Sequence, residues 1–181
     1  MKITEGPLAG LLIVEPKVFT DSRGCFFEVF KEELFTPYNI PSFKQDNVSY
    51  SQGNVLRGLH YQKPNAQGKL IWVTQGTVWD IVVDIRRSSK TFGQWFNMTL
   101  SAENHLQLYI PPGFAHGFCV LSPDAVFHYK CTDYYAPGAE HGIAWNDKAL
   151  NIPWPLDNPI LSPKDERNPR LEEIKPDELF A

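Results

Sequence analysis

Thr77-Val78-Trp79-Asp80-Ile81-Val82-Val83-Asp84-Ile85 is the stretch that decides the fold. Trp79, Ile81, Val83 and Ile85 alternate with Val78, Asp80, Val82 and Asp84, a period of two. Side chains of a strand point alternately to opposite faces, so one face is apolar and the other carries two carboxylates. If the carboxylate face points into a barrel, Asp80 needs a partner, because an unpaired buried charge is costly. Lys69 and His116 are the natural ones. Just upstream, Leu70–Thr74 forms a second strand, and Gln75-Gly76 between the two gives a hairpin signal.

Working outward, Phe92–Leu100, Leu106–Ile110, Gly117–Leu121 and Ala125–Thr132 read as further strands. Toward the N-terminus, Leu11–Val14 and Val18-Phe19 lead to the turn Asp21-Ser22-Arg23-Gly24 and to the aromatic run Cys25–Phe30. Lys31–Phe35 suits one or two helical turns. Fifteen Pro and twelve Gly punctuate these runs. Strands recurring every eight to twelve residues or so, with no βαβ rhythm, give an all-β sandwich or barrel. The tail from about residue 153 to 181 is rich in Pro and charge. Within it Ser162-Pro163-Lys164-Asp165 has the order of a helix start: serine cap, proline, acid in the first turn. The 181 residues, 43% of them hydrophobic, fit one domain with this C-terminal arm packed on the barrel.

Composition excludes several classes. The net charge is −4 and no basic run exceeds Arg86-Arg87, so no nucleic-acid surface is expected. No apolar run approaches the ~18 residues of a membrane span. At the start, Leu8–Val14 is short and is followed by Glu15-Pro16, unlike a signal peptide. Cys25, Cys119 and Cys131 are odd in number and lack C-x-x-C spacing, which suits reduced thiols and a cytoplasmic location.

Two motifs bear on chemistry. Pro111, Gly113 and His116 form P-x-G-x-x-H, the second half of the metal-binding cupin pattern. The first half needs H-x-H, and His60-Tyr61-Gln62 has Gln where the second His belongs. A site normally needs three protein ligands, so no metal is expected. In the strand Val55–Gln62, strict alternation sets Arg57, Leu59 and Tyr61 on one face and Leu56, Gly58 and His60 on the other. His60 is either a hydrogen-bonded core residue or a base, since imidazole titrates near neutrality. Gly58 leaves room beside it for another backbone or a ligand.

A longer set of motifs is similar to the dTDP-4-dehydrorhamnose 3,5-epimerase family. It comprises Glu15-Pro16-Lys17-Val18-Phe19, Asp21-Ser22-Arg23-Gly24, Gln45-Asp46-Asn47, Val55-Leu56-Arg57-Gly58-Leu59-His60 and Ala66-Gln67-Gly68-Lys69-Leu70. Thr91-Phe92-Gly93-Gln94-Trp95, Leu100-Ser101-Ala102-Glu103-Asn104, Ile110-Pro111, Gly113-Phe114-Ala115-His116-Gly117-Phe118, Tyr129-Lys130, Trp145-Asn146-Asp147, Leu161-Ser162 and Lys164-Asp165 continue it. One such motif says little; this many, in order and almost end to end, is specific.

The resemblance implies a cupin-type jelly-roll barrel with short peripheral helices, a homodimer, no cofactor, and a dTDP-sugar substrate. It places the activity in dTDP-L-rhamnose synthesis, which serves lipopolysaccharide and O-antigen. It implies His60 as catalytic base, Asp165 as its dyad partner, Tyr129 as general acid, and Lys69 near the C4 carbonyl oxygen. It implies substrate contacts from Arg23, Glu28, Gln45, Asn47, Arg57, His116, Glu140 and Lys164, with Tyr135 stacking on thymine.

These residue types suit the reaction. A C–H bond next to a ketone is removable because the carbanion spreads onto oxygen as an enolate, and C3 and C5 both flank a C4 ketone. The site needs an oriented base, a donor at the growing oxyanion, and an acid on the opposite face. Arginine forks suit a diphosphate. Each residue alone has a plainer reading: Asp165 favoured by a helix dipole, Lys69 solvated, Tyr129 a strand aromatic. His105, His128 and His141 match no family role. The chain departs from the family at Trp72, often basic and near Lys69 in sequence, and at His128, often aliphatic and expected to face away from Tyr129. A single-carbon epimerase of a related 4-keto-deoxysugar, and a metal-dependent cupin, are the alternatives.

Overall fold

The computed structural model describes residues 1–181. Its strands, in chain order, are β1 Lys2–Glu5, β2 Leu12–Glu15, β3 Phe19–Asp21, β4 Gly24–Phe26, β5 Gln45–Gln52, β6 Leu56–Gln62 and β7 Lys69–Gln75, followed by β8 Thr77–Asp84, β9 Trp95–Ser101, β10 Gln107–Ile110, β11 Phe114–Val120, β12 Asp124–Cys131 and β13 Glu140–Gly142. One sheet has the order β1-β2-β10-β7-β12-β5, the other β13-β6-β11-β8-β9, and β3-β4 stands apart as a ribbon. The pairings are antiparallel throughout, and the two sheets form a jelly-roll-like fold. The helices are short: α1, Glu32–Phe35, and one-turn 3-10 helices at Thr36–Tyr38, Asp165–Arg167 and Leu171–Glu173.

The alternation in β8 is real, but both its faces are buried. Val78 and Val82 join Ile71, Val73, Leu108, Phe118 and Phe127 in the core between the sheets. Asp80 shares their side of the strand. Ile81, Val83 and Ile85 point to the outer side, where Leu59, Ala115, Ile143, Leu150, Ile174 and Leu179 cover them. The tail therefore completes a second core. Ile160 bridges Val55 and Phe180 bridges Arg86, both in parallel. Outside the six-stranded sheet, α1 supplies Phe35 to cover Leu12, Val14, Leu70 and Tyr109. Burial of these side chains is the main stabilising term.

The hairpin expected at Gln75-Gly76 does not form. β7 pairs with β10 and β12, and β8 with β11 and β9, so the turn carries the chain from one sheet to the other. The reason is tertiary. Gly76 has φ +74° and lies so close to Ser122 and Asp124 that a Cβ would collide with Asp124 O. The turn packs beneath the β11–β12 turn, which a local reading could not include.

Candidate active site

Strict alternation fails in β6, and the failure builds the site. Across from it His116 pairs with His60, but Phe118 pairs with Arg57, so β6 holds one extra residue. This bulge turns Arg57 and His60 to the same inner side, correcting the expectation that they face apart. Gly58 makes it possible. Its φ is +117°, and a Cβ there would lie 2.6 Å from Gly117 Cα and 2.7 Å from His116 O. The room beside Gly58 is taken by another backbone.

The pocket lies between the sheets as two lobes that share His60, Lys69, Tyr129 and Glu140. The outer lobe, about 330 Å³, adds Gln45, Asn47, Tyr61, Gln62, Gln67, Cys131 and Tyr135. The inner lobe, about 230 Å³, adds Ser49, Arg57, His116 and Phe127. His60 and His116 come from the five-stranded sheet. Tyr129, Lys69, Gln45 and Asn47 come from the six-stranded one. His60 and Tyr129 therefore stand on opposing walls.

Behind His60, Asp165 Oδ1 sits 2.5 Å from Nε2. The carboxylate is 3% exposed, and Ser162 Oγ accepts from the Asp165 N–H at 3.1 Å. Burial pushes the Asp165 carboxyl up, but the hydrogen bond and charge of His60, with help from Ser162 and the Gly58 backbone, outweigh it and leave it below its ordinary value. Asp165 is thus both the first-turn acid that the sequence suggested, here opening the 3-10 turn, and the partner of His60.

On the opposing wall, burial raises the Tyr129 phenol above its ordinary value, and Cys131 and Glu140 add to this against Arg57. Tyr129 stays protonated at neutral pH and is able to donate. The Lys69 ammonium lies 6.0 Å from the Tyr129 ring centroid. Burial lowers its pKa, while Cys131, Glu140 and Asp80 hold it up. Beneath, Asp80 is fully buried and its Oδ2 lies 2.7 Å from His116 Nε2. Of the two partners expected for Asp80, His116 makes the contact.

Gln45 Nε2 donates to Asn47 Oδ1 at 3.0 Å, and the Tyr135 N–H donates to Gln45 Oε1 at 2.8 Å. Arg57 Nε donates to Ser51 Oγ at 2.9 Å. Glu140 accepts from Lys164 Nζ at 2.6 Å and from Tyr135 Oη at 3.2 Å. These bonds draw Gln45, Asn47, Tyr135, Glu140 and Lys164 together at the mouth.

Two expected residues lie elsewhere. Arg23 is at the tip of the β3–β4 ribbon, 88% exposed at its side chain and ion-paired with Asp21 at 2.6 Å. Glu28 is exposed in the segment that follows. Neither lines this chain's pocket. Trp72 stacks on His128 at 5.3 Å on the outer face of the six-stranded sheet, and neither lines the pocket. No three His, Cys, Asp or Glu side chains converge as a ligand group. No helix is long and apolar enough to cross a membrane.

Sequence reading missed Gln67 and Cys131 as lining residues and considered Gln62 only as an absent ligand. Cys131 was within reach, since it follows Tyr129 by two residues on one face.

A histidine–carboxylate pair faces a protonated tyrosine across a pocket with a lysine on a jelly roll, an arrangement chemically suited to moving protons at carbon next to a carbonyl. The sequence model of the dTDP-4-dehydrorhamnose 3,5-epimerase family matches residues 5–173. A Shigella flexneri dTDP-4-dehydrorhamnose 3,5-epimerase is 52% identical over 91% of this chain and 93% of its own. The Legionella pneumophila dTDP-6-deoxy-D-glucose-3,5-epimerase, solved in complex with dTDP-4-keto-L-rhamnose, is 48% identical, with a TM-score of 0.95 over 99% of this chain and 97% of that one. A 3'-monoepimerase from Streptomyces bikiniensis, solved with dTDP-quinovose, is 35% identical, with a TM-score of 0.86 over 92% of this chain and 86% of that one. The chain belongs to the dTDP-4-dehydrorhamnose 3,5-epimerase family.

Proposed function

We propose that this chain converts dTDP-4-dehydro-6-deoxy-D-glucose to dTDP-4-dehydro-L-rhamnose by inverting C3 and C5. In this reading His60 removes each proton and Asp165 orients the imidazole and stabilises its cation. Lys69 stabilises the enolate oxygen formed from the C4 carbonyl. Tyr129 returns a proton from the other face. The observation that carries the reading is the opposition of His60 and Tyr129 on facing sheets, because a ring held between them meets base and acid on opposite faces. Arg57, His116, Gln45, Asn47, Glu140 and Lys164 bind the sugar and diphosphate, and Tyr135 stacks on thymine.

The working form in this reading is a cytoplasmic homodimer of one-domain chains. Support comes from the β3–β4 ribbon. An isolated two-stranded ribbon is marginal in water. This one carries Phe19 and Phe26 as cross-strand partners, 52% and 68% exposed, with Arg23 at its tip. A ribbon of this kind docked on a second copy buries the two rings and delivers Arg23 and Glu28 to the partner's pocket.

Proton NMR of dTDP-4-dehydro-6-deoxy-D-glucose with the protein in D2O tests the function. Deuterium at both C3 and C5 with formation of the L-rhamno product is the expected result. Inversion at one carbon alone identifies a single-carbon epimerase, the activity named for the Streptomyces bikiniensis protein. No exchange at either carbon overturns the reading.

A further inference from the structure

Gln62 stands where a metal-binding cupin carries its second histidine, and its amide serves a different end. It is 6% exposed. Its Nε2 donates to Asn65 O at 2.5 Å and to Tyr134 O at 3.0 Å, while its Oε1 accepts from the Ala136 N–H at 2.9 Å. Both amide hydrogens and one acceptor site are used. Two other glutamines grip the same loop. Gln67 Nε2 donates to Asp133 O at 2.9 Å, and Gln45 Oε1 accepts from the Tyr135 N–H at 2.8 Å. Four consecutive residues, 133 to 136, are each held by a glutamine that lines the outer lobe. The loop itself is a short excursion between β12 and β13, and its Tyr135 is 51% exposed at the pocket mouth.

We infer that these glutamines form a clamp that pre-orders the Tyr135 loop for the nucleobase, with Gln62 as its central positioning residue. The inference rests on the reading of Tyr135 as the stacking residue. A stacking ring on a loose loop loses affinity to the entropy of ordering that loop at each binding event, and a loop fixed beforehand avoids the loss. The need at position 62 is for two donors and an acceptor on one side chain, which a primary amide supplies. A carboxylate accepts but cannot donate, and a neutral imidazole has one donor and one acceptor. The carboxylate leaves both Asn65 O and Tyr134 O without a donor, and the imidazole leaves one of them so. The same substitution that removes a metal ligand thus supplies the anchor of a nucleotide-binding loop.

The test is calorimetric titration of dTDP into the native chain, Tyr135→Ala, Gln62→Ala, Gln62→Glu and the double variant Gln62→Ala/Tyr135→Ala. Tyr135→Ala should bind roughly 5- to 100-fold more weakly, the scale of a lost base–aromatic stack. Both Gln62 variants should bind about 3- to 30-fold more weakly and raise KM to match, with kcat falling less than about twofold. The double variant should bind no more weakly than Tyr135→Ala, because the clamp acts through that ring. Gln62→Met keeps the length and volume without setting a charge against the two carbonyl oxygens, and so gives a second route if either variant fails to fold. Native dTDP affinity in both Gln62 variants, with Tyr135→Ala impaired, overturns the clamp. So does full additivity in the double variant. Native affinity in Tyr135→Ala overturns the stacking reading and takes the clamp's nucleotide role with it.

Discussion

His60 and Asp165 are 105 positions apart in the chain and 2.5 Å apart in the fold. The contact joins the inner face of β6 to the C-terminal arm. It exists because Ile160 pairs beside Val55 and because Ile174 and Leu179 are buried under the five-stranded sheet. The Ser162 hydroxyl then fixes the start of the 3-10 turn and aims the carboxylate inward.

Asp165→Asn tests whether this contact serves the chemistry. The replacement keeps the shape and removes the charge that would stabilise an imidazolium. We expect kcat to fall roughly 10²- to 10⁴-fold, the range for a lost partner of a catalytic histidine, with dTDP affinity little changed. Deuterium exchange at C3 and C5 should slow in parallel. A near-native exchange rate in this variant would reduce Asp165 to a helix-start residue.

The sequence was informative wherever periodicity or side-chain chemistry is local, and less so where partners are distant. The alternation of β8 and the need to pair Asp80 were readable, because period two and the cost of buried charge require no knowledge of neighbours. The sheet joined by β8 was not readable, since Gln75-Gly76 looks alike whether it closes a hairpin or crosses between sheets. Arg57 was assigned to the wrong side because a bulge breaks the alternation on which the assignment rests. Gly58 signalled a close approach but not its consequence for register. The roles of Gln62 and Gln67 depend on a loop some seventy residues downstream, which no local pattern reveals.

Asp84 gives a prediction about stability and pH. Its buried carboxylate accepts from Arg86 Nη2 at 2.8 Å, from Arg86 Nε at 2.9 Å, and from Ser89 and Thr91 hydroxyls at 2.6 Å each. Burial alone would raise its pKa. The bonds from Arg86, Ser89 and Thr91 overcome this and bring it to about 2. A group held below its unfolded value stabilises the fold fully above that value, near 3.9, and loses the contribution as pH falls toward about 2. Asp84→Asn should therefore cost on the order of 2 kcal/mol in urea unfolding at pH 7. The gap should close between about pH 4 and pH 2. A gap that stays constant with pH would show that packing, not charge, holds Asp84.

Arg23 offers a test of the dimer reading. Arg23→Ala and His60→Ala should each be nearly inactive as pure proteins. If Arg23 serves the partner's pocket, a mixed dimer has one pocket lacking both groups and one pocket with both intact. Co-refolding equal amounts should then restore roughly a quarter of native activity, the share from random pairing of two chains with one good site per mixed dimer. No recovery, with mixed dimers demonstrated by mass spectrometry, would place Arg23 outside the partner's site.

Tyr129→Phe separates acid from base. The change removes only the hydroxyl and leaves the ring against Phe127, with ring centroids 6.2 Å apart in the native protein. Burial keeps the native phenol protonated, so it is a donor that phenylalanine cannot replace. His60 is untouched on the facing sheet and should still remove a proton, exchange it with solvent and return a deuteron to the same face. Net inversion should then drop by roughly 10²-fold or more, the scale of a lost general acid. Deuterium entry with retained configuration should fall much less. The two readouts diverge only if base and acid act from opposite walls, so equal losses would show that the Tyr129 hydroxyl is needed for proton removal as well as for reprotonation. Inversion of both carbons at the native rate would make Tyr129 a packing residue of β12 and assign the acid to another group in the pocket.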